Sequence, residues 1–197
     1  MTREEHFAGE PALEDEPVVR VRSTLLSASV LVLRERAMWD QYWAQLGDED
    51  RPKIDGLVAG TWLPIELAVA HYRACDRIGL DPRQVSDNGL AVGRRIQGTM
   101  LQTAVRLATG SNPWVGLSLF PRLWKRVFIG GSVAIWKIGP KDARVEVSAM
   151  PLSEIPYFRH SYQGLVLEAF GLFATHVYLR EVPTRARGRV ILKAAWT

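Results

Sequence analysis

The stretch GGSVAIWKIGPKDARVEVSAM, residues 130–150, decides the fold class. Val133, Ile135 and Ile138 belong to one strand, and Gly139-Pro140-Lys141-Asp142 is a turn. Ala143 to Met150 then alternates apolar and polar residues, the period of a half-buried second strand. Ile155, Phe158, Tyr162, Leu165-Val166, Ala169 and Leu172-Phe173 follow at helical spacing. Two more strands, 176–182 and 189–196, flank the connection Pro183-Thr184-Arg185-Ala186-Arg187-Gly188. Strand, hairpin, strand, helix, strand, hairpin, strand predicts a ββαββ module, a four-stranded antiparallel sheet with a helix on one face.

Upstream of this stretch the grammar is helical. A segment over about 28–46 carries Val30, Leu33, Ala37, Trp39 and Trp43 at helical spacing, and Asp50 is placed to cap a short helix through about Leu57. Thr61-Trp62-Leu63-Pro64 opens a further helix, with Pro64 in the first turn, where its missing N–H costs nothing. The longest helix begins at Asp81-Pro82 or Ser86-Asp87 and is expected to run to Thr109-Gly110; another spans Pro113 to about Phe128. Val18-Val19-Arg20-Val21-Arg22 reads as a short edge strand. The class is therefore α+β. One domain covers 18–197, with a helical layer over about 24–129 and the ββαββ part over about 130–197.

Residues 1–17 hold six acids and one base, a net charge of −5, which leaves +9 on the rest of a chain whose total is +4. So acidic a leader, nearly without large apolar groups, is expected to stay disordered. It has no apolar core of a secretory signal, and no stretch approaches the roughly 20 apolar residues of a membrane helix. Cys75, the single cysteine among 197 residues, has no intrachain disulfide partner, which suits a reducing, cytoplasmic setting.

Chemical signatures are sparse. His71 and Cys75 stand four apart on one helix face, but no neighbouring His or Cys completes the three or four ligands a zinc site needs, so no metal is expected. His160 lies on the last helix as a half-exposed polar residue. Arg180, Arg185, Arg187, Arg189 and Lys193 form a basic cluster without interleaved aromatics, a solvated edge more than a nucleic-acid surface. No catalytic motif with a nucleophile and a base is present, which weighs against an enzyme. Gly89, Gly93 and Gly98 each cost the long helix about 1 kcal/mol, so either a neighbouring backbone or a ligand approaches there. For a ligand, Met100, Trp124 and Tyr162 are the expected apolar and aromatic neighbours, with Gly93 at the closest approach and Arg94 or Arg95 meeting an acidic head group.

Asp50-Arg51, Trp62-Leu63-Pro64, Gly93-Arg94, Pro121-Arg122-Leu123-Trp124 and the end on Trp196 together resemble an uncharacterised, mostly myxobacterial family. That family in turn is similar to the haem–nitric-oxide-binding domain, the four-vinyl-reductase-type sensor domain and the small TRAPP subunits. The resemblance implies sensing of a hydrophobic small molecule, or scaffolding, as a homodimer. Arg187-Gly188-Arg189-Val190 lacks the Cys of the sensor relatives, and no Tyr-x-Ser-x-Arg motif for haem propionates is found, so haem is disfavoured and no cofactor is expected. The function expected is a non-enzymatic regulatory module of bacterial origin with an apolar site between the long helix and the sheet. The alternative is a protein–protein scaffold without a ligand.

Overall fold

The computed structural model describes residues 4–11, 16–96 and 112–197. In chain order its elements are β1 (Glu5–Gly9), β2 (Arg20–Arg22), α1 (Ser23–Glu35), α2 (Trp39–Gln45), α3 (Arg51–Asp55), β3 (Trp62–Pro64), α4 (Ile65–Asp76) and α5 (Pro82–Ile96). They continue with α6 (Pro113–Val127), β4 (Phe128–Ile129), β5 (Ser132–Gly139), β6 (Asp142–Ser148), α7 (Pro156–Phe170), β7 (Val177–Glu181) and β8 (Val190–Trp196). The protein mixes helices with antiparallel sheets, as an α+β class requires.

The large sheet has the order β1-β5-β6-β8-β7, all antiparallel. Alternation sets its two faces: Ala143, Val145 and Val147 are buried, while Arg144 and Glu146 between them are not. Val145 stands opposite Ile135 on one side and Leu192 on the other, so the inner face is a continuous apolar row. On the outer face Arg144 pairs with Glu146 and Glu4, and its guanidinium lies 5.0 Å from the centre of the Trp136 ring.

Four strands are expected from the sequence and five are found. Glu5–Gly9, which composition places in a disordered leader, pairs with β5. The open edge of β5 supplies backbone partners, and side chains add to them: His6 meets Trp136 edge-on at 5.2 Å, and Phe7 lies 4.9 Å from Trp114. Acidic composition predicts hydration of side chains; it says nothing about a free sheet edge waiting elsewhere. Gly9 sits at φ +81°, where an added Cβ would fall 2.0 Å from the Val133 carbonyl oxygen, so only glycine fits.

Val18–Arg22, read as an edge strand, instead contributes the central strand of a second sheet, β3-β2-β4. Arg20 faces Pro64 on one side and Ile129 on the other. This pairing draws Trp62–Pro64 into strand β3, so α4 starts at Ile65 and not at Thr61. The single helix expected over 28–46 is two. Ala37 adopts φ 56°, and the Met38 N–H reaches back to the Leu33 carbonyl, a Schellman-type ending that the helical period of the apolar residues cannot reveal.

α5 begins at Asp81-Pro82: the Asp81 carboxylate accepts from the backbone N–H groups of Arg83 and Gln84 at 2.9 Å, and Gln84 Oε1 accepts from the Asp81 N–H. This is a capping box with proline at the first helical position. The far end expected for this helix, up to Thr109, lies outside the described residues. α5 crosses α7 through small residues on both sides. An added Cβ on Gly89 would lie 1.9 Å from the Ser161 carbonyl oxygen, and one on Gly164 would lie 2.0 Å from that of Ser86. Among the described residues no helix is long and apolar enough to cross a membrane.

Candidate functional site

The close α5–α7 crossing leaves the sides of these helices to be filled by α6. Phe120, Leu123, Trp124 and Val127 recur on α6 at three- and four-residue steps and turn toward α7. Asn112 starts this helix by accepting the Trp114 N–H at 3.1 Å, with Pro113 following it. The Trp124 indole N–H donates to the Gly130 carbonyl at 3.3 Å, which orients the ring. On α7, Phe158 and Tyr162 stand one turn apart with rings stacked at 5.5 Å.

These three helices, with Tyr72 of α4 and Leu25 of α1, surround an apolar cavity of about 100 Å³. A smaller space of about 30 Å³ continues along α6 and α7, bordered on both sides by Phe120, Leu123 and Ala169. The described lining of the cavity carries no charged side chain. Its one unpaired buried polar group is the Tyr162 hydroxyl, which has no hydrogen-bond partner among the described residues although Tyr162 is only 7% exposed. Burial pushes the Tyr162 phenol well above its usual range, so it stays neutral.

A second group of buried polar residues, under α1, α2 and α4, contrasts with it. His71 is fully buried, and its two ring nitrogens pair at 2.9 Å with the hydroxyls of Tyr42 and Ser29. Burial lowers its pKa from 6.5 to about 3, so the ring is neutral, one nitrogen donating and the other accepting. Cys75 lies 3.8 Å from His71 Nε2, its thiol pushed up by burial. Nearby, Asn88 Nδ2 donates to the Tyr157 hydroxyl at 3.0 Å, and Arg36 donates to Asn88 Oδ1 at 2.6 Å. Both nitrogens of His71 are committed to hydroxyls, so the His71–Cys75 spacing reflects core packing.

The residues expected at a ligand separate. Trp124 and Tyr162 are brought together on the cavity wall. Gly93 is not there. It packs on α7, where an added Cβ would lie 3.0 Å from Glu168 Cβ, so the glycine serves helix packing. Arg94 points away from the cavity and pairs with Glu168 at 3.2 Å, and Arg95 pairs with Glu35. Met100 lies outside the described residues. The site itself is among helices and not between the long helix and the sheet, because α7 comes between α5 and the strands. Phe120, Leu123, Phe158 and Leu165 are among the lining residues that sequence reasoning did not single out. Their helical stripes are visible in the sequence, but a stripe tells that a face is buried and not that its neighbours leave a gap. In the basic cluster, Arg189 pairs with Glu146 at 3.1 Å, and Arg180 stands across the strands from Lys193.

No protein-family profile and no characterised protein sequence matches the chain. Solved structures do. An oxygen-binding H-NOX domain related to soluble guanylate cyclases, in its oxygen complex, superimposes with a TM-score of 0.60 over 89% of this chain and 94% of its own, at 10% identity. A structure from a study of haem distortion in the H-NOX family gives 0.60 with the same coverage and 13% identity. A point mutant of the T. tengcongensis H-NOX domain gives 0.58 over 89% and 97%, at 14% identity. At such identities the likeness is one of fold, and it supports the kinship with the haem–nitric-oxide-binding fold implied by the sequence.

These neighbours overturn the expectation that haem has no place here, since the fold is one on which haem domains are built. The geometry of the described lining does not match a porphyrin. About 100 Å³ is less than the roughly 150 Å³ that accommodates one benzene. The described lining has no cation to face carboxylates, and its iron-ligating residue type is tyrosine, at Tyr72 and Tyr162. In the described conformation these residues do not fit a porphyrin. Ile96, the last described residue of α5, is on the cavity wall, so the neighbouring stretch 97–111 lies outside this test.

Proposed function

We propose that the protein is a non-enzymatic small-molecule-sensing module whose site is the apolar cavity enclosed by α5, α6 and α7. The observation that carries this reading is a cavity inside the helical layer whose described lining is apolar and uncharged, Tyr162 included. Protein interiors are close-packed, and a gap of this size costs stability unless something occupies it. The groups best suited to chemistry, His71 and Cys75, are sealed in the core away from the cavity, which agrees with binding and not catalysis. The fold supports a sensing role, since H-NOX domains that bind oxygen share it.

Native mass spectrometry of the purified protein tests the reading. A retained small molecule is the expected result, with the mass also reporting the homodimer that the sequence resemblance implies. An empty protein whose stability no small apolar compound raises would refute the site. Retained haem would refute a cavity limited to this size.

A further inference from the structure

The two borders of the large sheet differ. At one, β1 covers the edge of β5; at the other, β7 has a neighbouring strand, β8, on one side only. The register fixes which backbone groups face outward there. The Val182 N–H donates to the Ile191 carbonyl at 2.8 Å, and the Thr197 N–H donates to the His176 carbonyl at 3.2 Å. By antiparallel alternation Tyr178 and Arg180 also turn their backbone groups to β8, while Val177, Leu179 and Glu181 turn theirs away. The Leu179 carbonyl accepts from Gln163 of α7 at 3.1 Å. The other outward groups of Val177, Leu179 and Glu181 have no partner among the described residues.

The side chains divide by face. Val177 and Leu179 pack on the core, and Glu181 pairs with Arg159 of α7. Tyr178, 71% exposed, and Arg180 stand on the outer face. There Arg144, Lys193 and Arg180 are cross-strand neighbours, a row of cations that ends at the open edge. Arg144 is neutralised by Glu146 and by Glu4, which precedes β1. Arg180 and Lys193 pair with no carboxylate among the described residues, and Asp142 lies one row away, on β6 beside Ala195. Like charges directly opposite one another destabilise a sheet, and an acid beyond Arg180 would offset this.

We infer that β7 is a docking edge for an extended acidic segment of a partner protein, which adds antiparallel as a further strand with a carboxylate opposite Arg180. The chain itself displays the pattern at its other border, where Glu5–Gly9 pairs with β5 and Glu4 reaches Arg144. Backbone bonds to Val177, Leu179 and Glu181 supply affinity, and the carboxylate supplies the choice of partner. A second copy of β7 suits the edge less well, because it would bring another Arg180 and Lys193 to the same face.

The probe is a short blocked peptide alternating Glu with Val, titrated at low salt into the full, isotope-labelled chain and followed by amide hydrogen exchange. Exchange at Val177, Leu179 and Glu181 is expected to slow, while Tyr178 and Arg180, already bonded to β8, stay unchanged. Arg180→Glu, at an exposed position, is expected to weaken this peptide roughly tenfold and to admit one that alternates Lys with Val. Methylating the Val amide nitrogens of the peptide, which face β7 in this register, should abolish binding. Binding that survives methylation, or that leaves exchange at Val177, Leu179 and Glu181 untouched, would reduce the edge to a charged patch and overturn strand addition. Equal binding of the Glu and Lys peptides, or an affinity unmoved by Arg180→Glu, would overturn the acidic partner. Absence of binding would defeat the inference outright. A dimer in sedimentation equilibrium that Arg180→Glu alters would give the edge to a second copy instead.

Discussion

Two buried tyrosines in the helical layer receive opposite treatment. The Tyr42 hydroxyl meets His71, which meets Ser29, so three polar groups close on one another in the core. The Tyr162 hydroxyl meets no partner among the described residues. The first arrangement is a satisfied polar core whose value is structural, since each member would be unfavourable alone. The second has the same residue type and similar burial, yet no described residue meets its hydroxyl. A buried tyrosine thus points to function only through its missing partner; burial and a raised pKa are common to both.

The sharpest way to break this contrast is His71→Leu. It leaves the hydroxyls of Tyr42 and Ser29 buried without their partner, and a loss of about 3–4 kcal/mol in urea unfolding is expected. A loss below about 1 kcal/mol would mean that the His71 cluster is no more committed to stability than Tyr162.

A somewhat smaller effect is expected from acid. The native pKa of His71, about 3, lies below its unfolded value of 6.5, so the native state holds the neutral ring. The stability this contributes is complete above pH 6.5 and is lost as the pH falls towards about 3. Each pH unit in that window removes about 1.4 kcal/mol, or roughly 2.7 kcal/mol over the first two units. Unfolding measured at several pH values should give a slope that is shallower by this amount in His71→Gln. Identical slopes would place the ring in contact with water.

The smallest effect belongs to the other tyrosine. Tyr162→Phe in the ligand-free protein should change stability by no more than about 1 kcal/mol, with stabilisation as the expected sign, because it deletes an unsatisfied group. A thermal melt showing a large drop would reveal a partner for the hydroxyl and merge the two cases.

How much of this was legible in the sequence depends on the range of the interaction. The alternation over Ala143–Val147, the Asp81-Pro82 start of α5 and the stripe Phe120, Leu123, Trp124 and Val127 are local patterns, and each is expressed locally. Pairings between distant segments are not expressed that way. β1 joins β5, β2 lies between β3 and β4, and Asn88 finds Tyr157 across 69 positions. Gly89, Gly93 and Gly98 gave one signal, excess propensity cost, yet Gly89 lies against a backbone carbonyl and Gly93 against the side chain of Glu168, while Gly98 lies outside the described residues. Trp124 and Tyr162 drew attention by residue type. That Tyr162 lacks a partner is a property of the neighbours, and no local pattern contains it.

The strand β1 also has a consequence for how the chain is made. Its partner β5 begins at Ser132, so more than a hundred residues must leave the ribosome after Glu5–Gly9 before the pair can form. At roughly 5–20 residues per second, β1 waits for several seconds or more, and closing so large a loop is entropically slow. Once β5 and β6 have emerged, and until β1 docks, their hairpin presents a bare edge of the kind that recruits strands from other molecules. The late return of β1 pairs that edge, and a five-residue strand with a bulge between His6 and Ala8 then stands at the border of the sheet in place of the longer β5.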